Sequence, residues 1–564
     1  MFGCFRKAPP KYDYDIIIIG AGSGGLTAAN FAAKLNARVC LVEQSKLGGD
    51  CTWTGCIPSK ALLHVAKIAH HARTSGTSCG VTTSNVNVNM KEVHEYIHSR
   101  ISDVYQHETP EVVRETGVEV LDNTSACFVD PHTIRLTTGT DHGQSDLTQT
   151  KTGDDSSNDG RNSTGGSGGS NYSTKETKND PHTEQHSSTI GVRGRTLSAA
   201  FFVICTGAQP NVPNSITGIK KVPYMTYETI FDLKVLPKRL GIIGAGPIGC
   251  EMAQAFARLG SKVQIMASSI LPKEQVEVRA VMAGVFEEEG IHLLKGRAAS
   301  CQVISNDHNE GNVDHDHDND GGAILVKTKE GKTLVCDVLL VSAGRSPTVT
   351  GIGLENIGVQ TTTHGIAVNA TLQTSPHAHI YAAGDCCGSE QFTHYAGWQA
   401  FQAVRNALLP GSGNGHSTLV PRCTFTDPEV AQVGLTLREA KHNPELTQNC
   451  VELKRHMCKN DRGVCDSDAK NGFISLVVNT KTHRLLGGTI VMSRAGEMIN
   501  ELAVGISNRL TIRQLASAIH AYPSYSFALY QMYSEYATNE FLNSTSGKTA
   551  IGCSVCCGVF SPSK

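Results

Sequence analysis

One residue pattern occurs twice in this chain, and it constrains the fold more than any other feature. The apolar run YDIIII (residues 14–19) leads into GAGSGG (20–25), a stretch of helical composition (26–35) and the strand-like RVCLV (38–42), which ends in Glu43. Far downstream, RLGII (239–243) leads into GAGPIG (244–249), a helical stretch (250–259) and KVQIM (262–266). Each copy reads as a strand, a glycine turn, a helix and a parallel strand, so two dinucleotide-binding βαβ units are expected. In such a turn Gly20 and Gly244 permit the tight bend, and Gly22 and Gly246 let a pyrophosphate approach. Gly25 and Gly249 let helix and strand pack closely, and the helix N-terminus offers unpaired N–H groups.

The two copies end differently. Glu43 closes the first unit and suits the hydroxyls of an adenosine ribose. The matching place in the second falls near Ala267, in VQIMASS. Losing that acid removes repulsion against a 2′-phosphate, and Lys273 nearby offers a positive charge, so NADPH is favoured over NADH. No arginine pair is visible there, NADH remains possible, and Lys273 also fits a solvated surface lysine.

Composition narrows the class. The 564 residues carry 50 Lys+Arg against 52 Asp+Glu, a formal charge of −2, which lacks the basic footprint of a nucleic-acid binder. No run reaches the ~18 apolar residues of a spanning helix, and residues 1–10 show no signal or transit pattern, so a cytoplasmic location is expected. The modest apolar fraction, 39%, has a source in polar inserts at 139–190 and 306–322. The second, NDHNEGNVDHDHDNDGG, reads as a solvated loop, with metal ligation by its His/Asp alternation as the alternative. The 19 cysteines are mostly scattered singly in apolar contexts, as reduced core thiols are.

Two cysteines stand apart. In GGDCTWTGCIPSKALLH (48–64), Cys51 and Cys56 are placed at the start of an expected helix, whose dipole lowers a thiol pKa. A structural zinc half-site would need a second Cys/His pair at ligand spacing, and none follows. With two nucleotide units beside it, the pair reads as a redox disulfide.

These motifs resemble the flavin-dependent pyridine nucleotide-disulfide oxidoreductases, the family of glutathione reductase, dihydrolipoamide dehydrogenase, thioredoxin reductase and mercuric reductase. The resemblance covers nearly the whole chain outside the inserts. It runs through both glycine turns, C-x4-C-x-P-S-K, CTGAQP (205–210), VSAGRSP (341–347), HIYAAGD (379–385) and CTFTDPEVAQVG (423–434). It implies an α/β fold with two Rossmann-like domains, for FAD and NAD(P), and an α+β C-terminal dimerisation domain. The expected division is an FAD domain over 1–215, an NAD(P) domain over 216–348, a central FAD segment over 349–419, an interface domain over 420–548 and a mobile cysteine-rich tail over 549–564. FAD is expected against Gly20, Gly22, Gly25, Glu43, Gly48, Gly49, Thr206, Gly207, Asp385 and Thr393. NAD(P)H is expected against Gly244, Gly246, Gly249, Lys273 and Gly344. By the same pattern Lys60 pairs with Glu251 beside the flavin, Cys56 is the charge-transfer thiolate and Cys51 meets the substrate.

The acceptor is read from the C-terminal region. Disulfide-reducing members use a His-Pro followed by Glu from the partner subunit of a homodimer. Here His520-Ala521-Tyr522-Pro523-Ser524-Tyr525-Ser526-Phe527 puts Tyr522 and Phe527 at those two positions. A phenol with pKa near ~10 is a poor proton shuttle at neutral pH. Mercuric reductases resemble this chain in that tyrosine and in a vicinal cysteine pair near the C-terminus, here Cys556 and Cys557. Thiolates suit soft cations, so the tail would carry a thiol-bound metal ion inward. Three alternatives stay open: a thioredoxin-reductase-like relay through the tail, a non-catalytic flavin-containing metal binder or sensor, and membrane attachment through acylated terminal cysteines.

Overall fold

The computed structural model describes residues 11–74, 79–138, 194–304, 322–388, 390–468 and 471–556, with side chains as far as residue 550. The 139–190 insert, Cys557, and the 306–322 insert apart from its last residue lie outside the described residues. The architecture is mixed α/β, as expected.

The first βαβ unit is β1 (Tyr14–Ile19), α1 (Ser23–Lys34) and β2 (Val39–Val42). β1 lies between β2 and β6 (Thr196–Ile204), parallel to both, and β6 also pairs in parallel with the strand Ile380–Ala382. β3 (Glu119–Leu121) extends the parallel edge, while β4 (Thr124–Asp130) and β5 (Thr133–Thr138) form an antiparallel hairpin on the other side. Three parallel strands therefore end along one edge, and their last residues lead into Gly20, Thr206 and Asp385. Ligands of open α/β sheets bind beyond such carboxyl ends.

The second unit forms its own all-parallel sheet, in the order His292–Lys295, Lys262–Ala267, Arg239–Ile243 and Val338–Val341. Both motif helices begin a turn earlier than their composition suggests, at Ser23 and Pro247, directly after N-caps Gly22 and Gly246. Proline fits a first helical position because its missing N–H would be unpaired there anyway.

The C-terminal region is a five-stranded antiparallel sheet covered by the helices Ala495–Ser507, Ile512–Ala516 and Phe527–Asn543. The last described element is a helix from Thr545 to Cys556, which takes in the first residues of the tail expected over 549–564. Ser544 starts it by accepting the Gly547 N–H at 3.0 Å, a side-chain N-cap. Among the described residues no helix is long and apolar enough to cross a membrane.

A buried polar cluster fastens this region to the second nucleotide domain. Gln254 exchanges two hydrogen bonds with the Asp427 backbone, at 2.7 and 2.8 Å, and Arg258 reaches Glu289 at 2.6 Å and Asp427 at 2.9 Å. Arg258 is buried, so its removal leaves the largely buried Glu289 with only Gln254 and Asp427 with only Lys67 as side-chain partners. Arg258→Ala is expected to destabilise the docked domains by about 3–5 kcal/mol, read as an earlier denaturant transition. A transition unchanged from wild type would show that the cluster is not what holds them.

Candidate active site

The strand ends open into a continuous cavity of about 2810 Å³, well beyond the ~1,000 Å³ upper end of ordinary small-molecule pockets. Gly20 takes φ +97°, and a Cβ there would meet the Cys205 carbonyl oxygen at 2.4 Å. A Cβ on Gly25 would collide with the Gly20 carbonyl, so that glycine serves helix–strand packing and does not line the cavity. Gly22 is different, since a Cβ would come no nearer than 3.8 Å, to Gly49 Cα. The α1 N-terminus has no side-chain cap, leaving its first N–H groups for a ligand. Glu43 accepts from Ala21 N–H at 2.6 Å and Ser45 N–H at 2.9 Å at the cavity wall. Burial raises its carboxyl pKa against the pull of those N–H groups. Gly48 supports the turn at φ +99°, while Gly49, Thr206, Gly207, Asp385 and Thr393 line the cavity. The Thr206 hydroxyl donates to Thr348 O at 2.6 Å.

At the second glycine turn, a Cβ on Gly249 would meet Gly244 O at 2.2 Å, whereas one on Gly246 meets nothing within 4 Å. That helix N-terminus is also without a side-chain cap. Gly244, Gly246, Gly344 and Lys273 line the cavity, with Ala267 at the end of its strand. The sequence shows no arginine pair beside Lys273, but the fold brings one arginine there. Gly296 N–H bonds Ala267 O at 3.1 Å, which brings the neighbouring Arg297 into the same lining as Lys273.

Between the two nucleotide regions lies the cysteine pair. A single helix start was expected, but the segment breaks in two, α2 (Gly49–Trp53) and α3 (Cys56–Thr74). Gly55 allows the break, because a Cβ there would meet Asp50 O at 2.7 Å. Trp53 Nε1 donates to Leu47 O at 2.7 Å and pins the loop. Cys56 thus opens a 19-residue helix, where the dipole favours an anion, while Cys51 sits inside the short α2. Both are free thiols lining the cavity. The hydrogen bond from Cys51 holds the Cys56 thiol down to about 6, helped by Thr393 and Lys60 against the opposing effect of burial. The same interaction, with burial, pushes Cys51 up. The pair is therefore biased toward a thiolate at Cys56 and a thiol at Cys51. Cys56 Sγ is 3.3 Å from Thr393 Oγ1. Lys60 Nζ donates to Glu251 Oε2 at 3.0 Å and lies 4.1 Å above the Phe425 ring.

Comparison with known proteins fits this arrangement. Residues 14–400 match the family described as pyridine nucleotide-disulphide oxidoreductase, and residues 420–533 match its dimerisation domain. The chain belongs to this family. The oxidoreductase is 30% identical over 509 residues to a mercuric reductase of Shigella flexneri, covering 90% of this chain and 78% of that one. A mercuric reductase of Bacillus cereus is 28% identical over 518 residues, covering 91% and 70%. Among solved structures, the HOCl-induced flavoprotein disulfide reductase RclA from Escherichia coli superposes with a TM-score of 0.71 at 24% identity, covering 92% of this chain and 99% of that one. LpdA from Mycobacterium tuberculosis gives 0.74 at 22% identity, with the same coverage.

Members of the family use FAD and NAD(P)H, and the residues of this oxidoreductase fit both. The observations that test the fit are the two uncapped helix N-termini and the two glycines, Gly22, where a Cβ would meet nothing nearer than 3.8 Å, and Gly246, where it would face open space. A further group at the site was not singled out from the sequence. Arg345 pairs with Asp385 at 2.7 Å and Asp50 at 2.7 Å, and Tyr227 donates to the same Asp50 oxygen at 3.1 Å. Burial raises the Asp385 carboxyl and Arg345 opposes it. Arg345 and Asp50 stand within the quoted motifs GRSP and GGDC, whereas Tyr227 comes from a segment without a motif.

Tyr522 lies away from the cavity, 65% exposed, with its hydroxyl on Asp461 Oδ2 at 3.2 Å. That bond pushes its phenol up. His520 has both ring nitrogens engaged, Nδ1 with Ala518 O at 3.0 Å and Nε2 with Glu501 Oε1 at 3.0 Å. Cys556 ends the last helix in the backbone trace.

The thiol asymmetry sets a pH dependence. Because the Cys56 pKa is lowered, its thiolate is present above about pH 6 and lost as pH falls through that value. Alkylation at Cys56 of the reduced protein, followed by mass spectrometry, is expected to level off above a midpoint near there. Thr393→Val is expected to move the midpoint upward. A midpoint at the ~8.5 of an ordinary thiol would contradict the assignment.

Proposed function

We propose that the protein is a homodimeric, NADPH-dependent flavoprotein that delivers electron pairs to a thiol-bound soft metal ion, with Hg(II) as the representative acceptor. The observation that carries the acceptor is the turn at Tyr522. Its ring packs 5.1 Å from that of Phe527, and the only imidazole in the turn, His520, has both nitrogens occupied. A disulfide acceptor needs a proton donor for its leaving thiolate, whereas a metal ion needs ligands. The mercuric reductases among its relatives support the same reading.

FAD, when bound, supplies a two-electron carrier between the nicotinamide and the adjacent sulfurs. Two electrons and one proton entering a Cys51–Cys56 disulfide break the S–S bond and leave a Cys51 thiol and a Cys56 thiolate. Lys60, held by Glu251, and the Thr393 hydroxyl stabilise the negative sulfur. A metal ion carried by small thiols would then exchange onto these sulfurs, releasing the carrier thiols. Breaking the two S–Hg bonds and re-forming the Cys51–Cys56 disulfide passes two electrons to the metal, so in the net reaction one NADPH, one proton and one bis-thiolate Hg(II) give NADP+, Hg(0) and two carrier thiols. Lys273 and Arg297, facing the end of a strand that lacks a carboxylate, favour the 2′-phosphate of NADPH. The exposed Tyr522, outside the cavity of its own chain, suits a contribution to the partner's site.

The test is to follow NADPH oxidation in parallel with Hg(II) plus excess small thiol, with oxidised glutathione, and with oxidised thioredoxin. Turnover is expected with Hg(II), and faster with NADPH than with NADH. Turnover with thioredoxin alone would replace this reading by a disulfide relay through the tail. No turnover with any acceptor would favour a flavin-containing binder.

A further inference from the structure

The helix α4 (Met90–Tyr105) is built for packing, with Met90, Val93, Ile97 and Ile101 buried along one side. It also carries His94 and His98, one turn apart, with ring centroids 4.1 Å from each other. The short turn Ile230–Asp232 faces them and contributes Asp232. One ligand atom from each of His94, His98 and Asp232 can be chosen so that all three lie within 4.8 Å of one another. The His98 side chain is 42% exposed, but its Nε2 atom is enclosed and has no hydrogen-bond partner, and it lies 3.6 Å from Asp232 Oδ1, beyond hydrogen-bond length. An enclosed imidazole nitrogen without a hydrogen-bond partner, beside a carboxylate and a second imidazole, is a donor set that a cation would satisfy.

We infer that His94, His98 and Asp232 form a three-ligand site for a borderline divalent cation such as Zn(II), with the fourth position open to water. Two imidazoles and one carboxylate are a donor set this class of ion favours. Tetrahedral coordination with bonds of ~2.1 Å puts ligand atoms about 3.4 Å apart, so the cluster needs only a small contraction. The backbone on both sides is anchored, because Ile97, Ile230 and Phe231 are buried in one core cluster, while the Asp232 side chain is 63% exposed and free to adjust.

The ion would fasten α4 to residues 226–232, and that segment reaches the active site. Phe231 lines the cavity, and Tyr227 donates to Asp50, the residue before Cys51. Occupancy would thus stiffen the wall beside the redox pair without touching the sulfurs. The site is independent of the acceptor proposed above.

The test is calorimetric titration of the full-length, oxidised flavoprotein with Zn(II), comparing wild type, His94→Ala, His98→Ala and Asp232→Asn. Wild type is expected to take up one more equivalent than either histidine variant, and Asp232→Asn to bind it about tenfold or more weakly. Hydrogen exchange over 90–105 and 226–232 is expected to slow with Zn(II) in wild type alone. Identical isotherms for wild type and both histidine variants would overturn the site, as would Zn(II)-independent exchange in those segments. If an alanine variant melts earlier without metal, His98→Gln keeps the side-chain bulk and is judged by the same two readouts.

Discussion

The Glu251 carboxylate is where the parts of this protein meet. One oxygen takes the Lys60 ammonium at 3.0 Å and the other takes the Phe425 N–H at 2.9 Å, so a single buried anion joins α3, the helix Pro247–Leu259 and the first strands of the C-terminal sheet. Gln254 and Arg258 follow at three and seven residues further along, on the same helix face, and both grip Asp427. A polar stripe on an otherwise apolar helix is worth its desolvation only when every member is paired, and here each is. The stripe sets the distance between the second nucleotide turn and the cysteine pair.

From that joint the chemistry of the sulfurs follows. α3 begins at Cys56 because Gly55 lets the chain turn, and Lys60 is one helical turn further on. The cation, the Thr393 hydroxyl and the Cys51 thiol all favour a negative Cys56, while burial opposes them and loses. Cys51 gives up its proton less readily for the same reason. The asymmetry gives two adjacent, chemically equivalent thiols different roles, one to hold charge and one to remain protonated. Asp50, Arg345 and Asp385 tie the same short loop to the edge of the first sheet.

Features encoded within a few residues were legible in the sequence. The glycine turns, Glu43, the Cys51/Cys56 pair and the strand ahead of Asp385 each declare themselves locally, through backbone freedom, charge or apolar runs. What was not legible depends on chain segments distant in sequence. Arg297 joins Lys273 only because the strand His292–Lys295 just before it pairs beside Lys262–Ala267, and Tyr227 reaches Asp50 across 177 residues. His94 and His98 show helical spacing, but nothing local announces Asp232. The C-terminal stretch carried no helix signal in its small residues, yet Ser544 supplies a cap that starts a helix.

The central claim is that Cys51 and Cys56 form a redox pair whose thiolate is Cys56. The most direct measurement is anaerobic titration of the purified, flavin-loaded protein with NADPH while recording its visible spectrum. The account predicts the long-wavelength charge-transfer absorbance of a thiolate lying against oxidised flavin, retained in Cys51→Ser and absent in Cys56→Ser. The same band in Cys56→Ser, or no band in the wild-type protein, would contradict it.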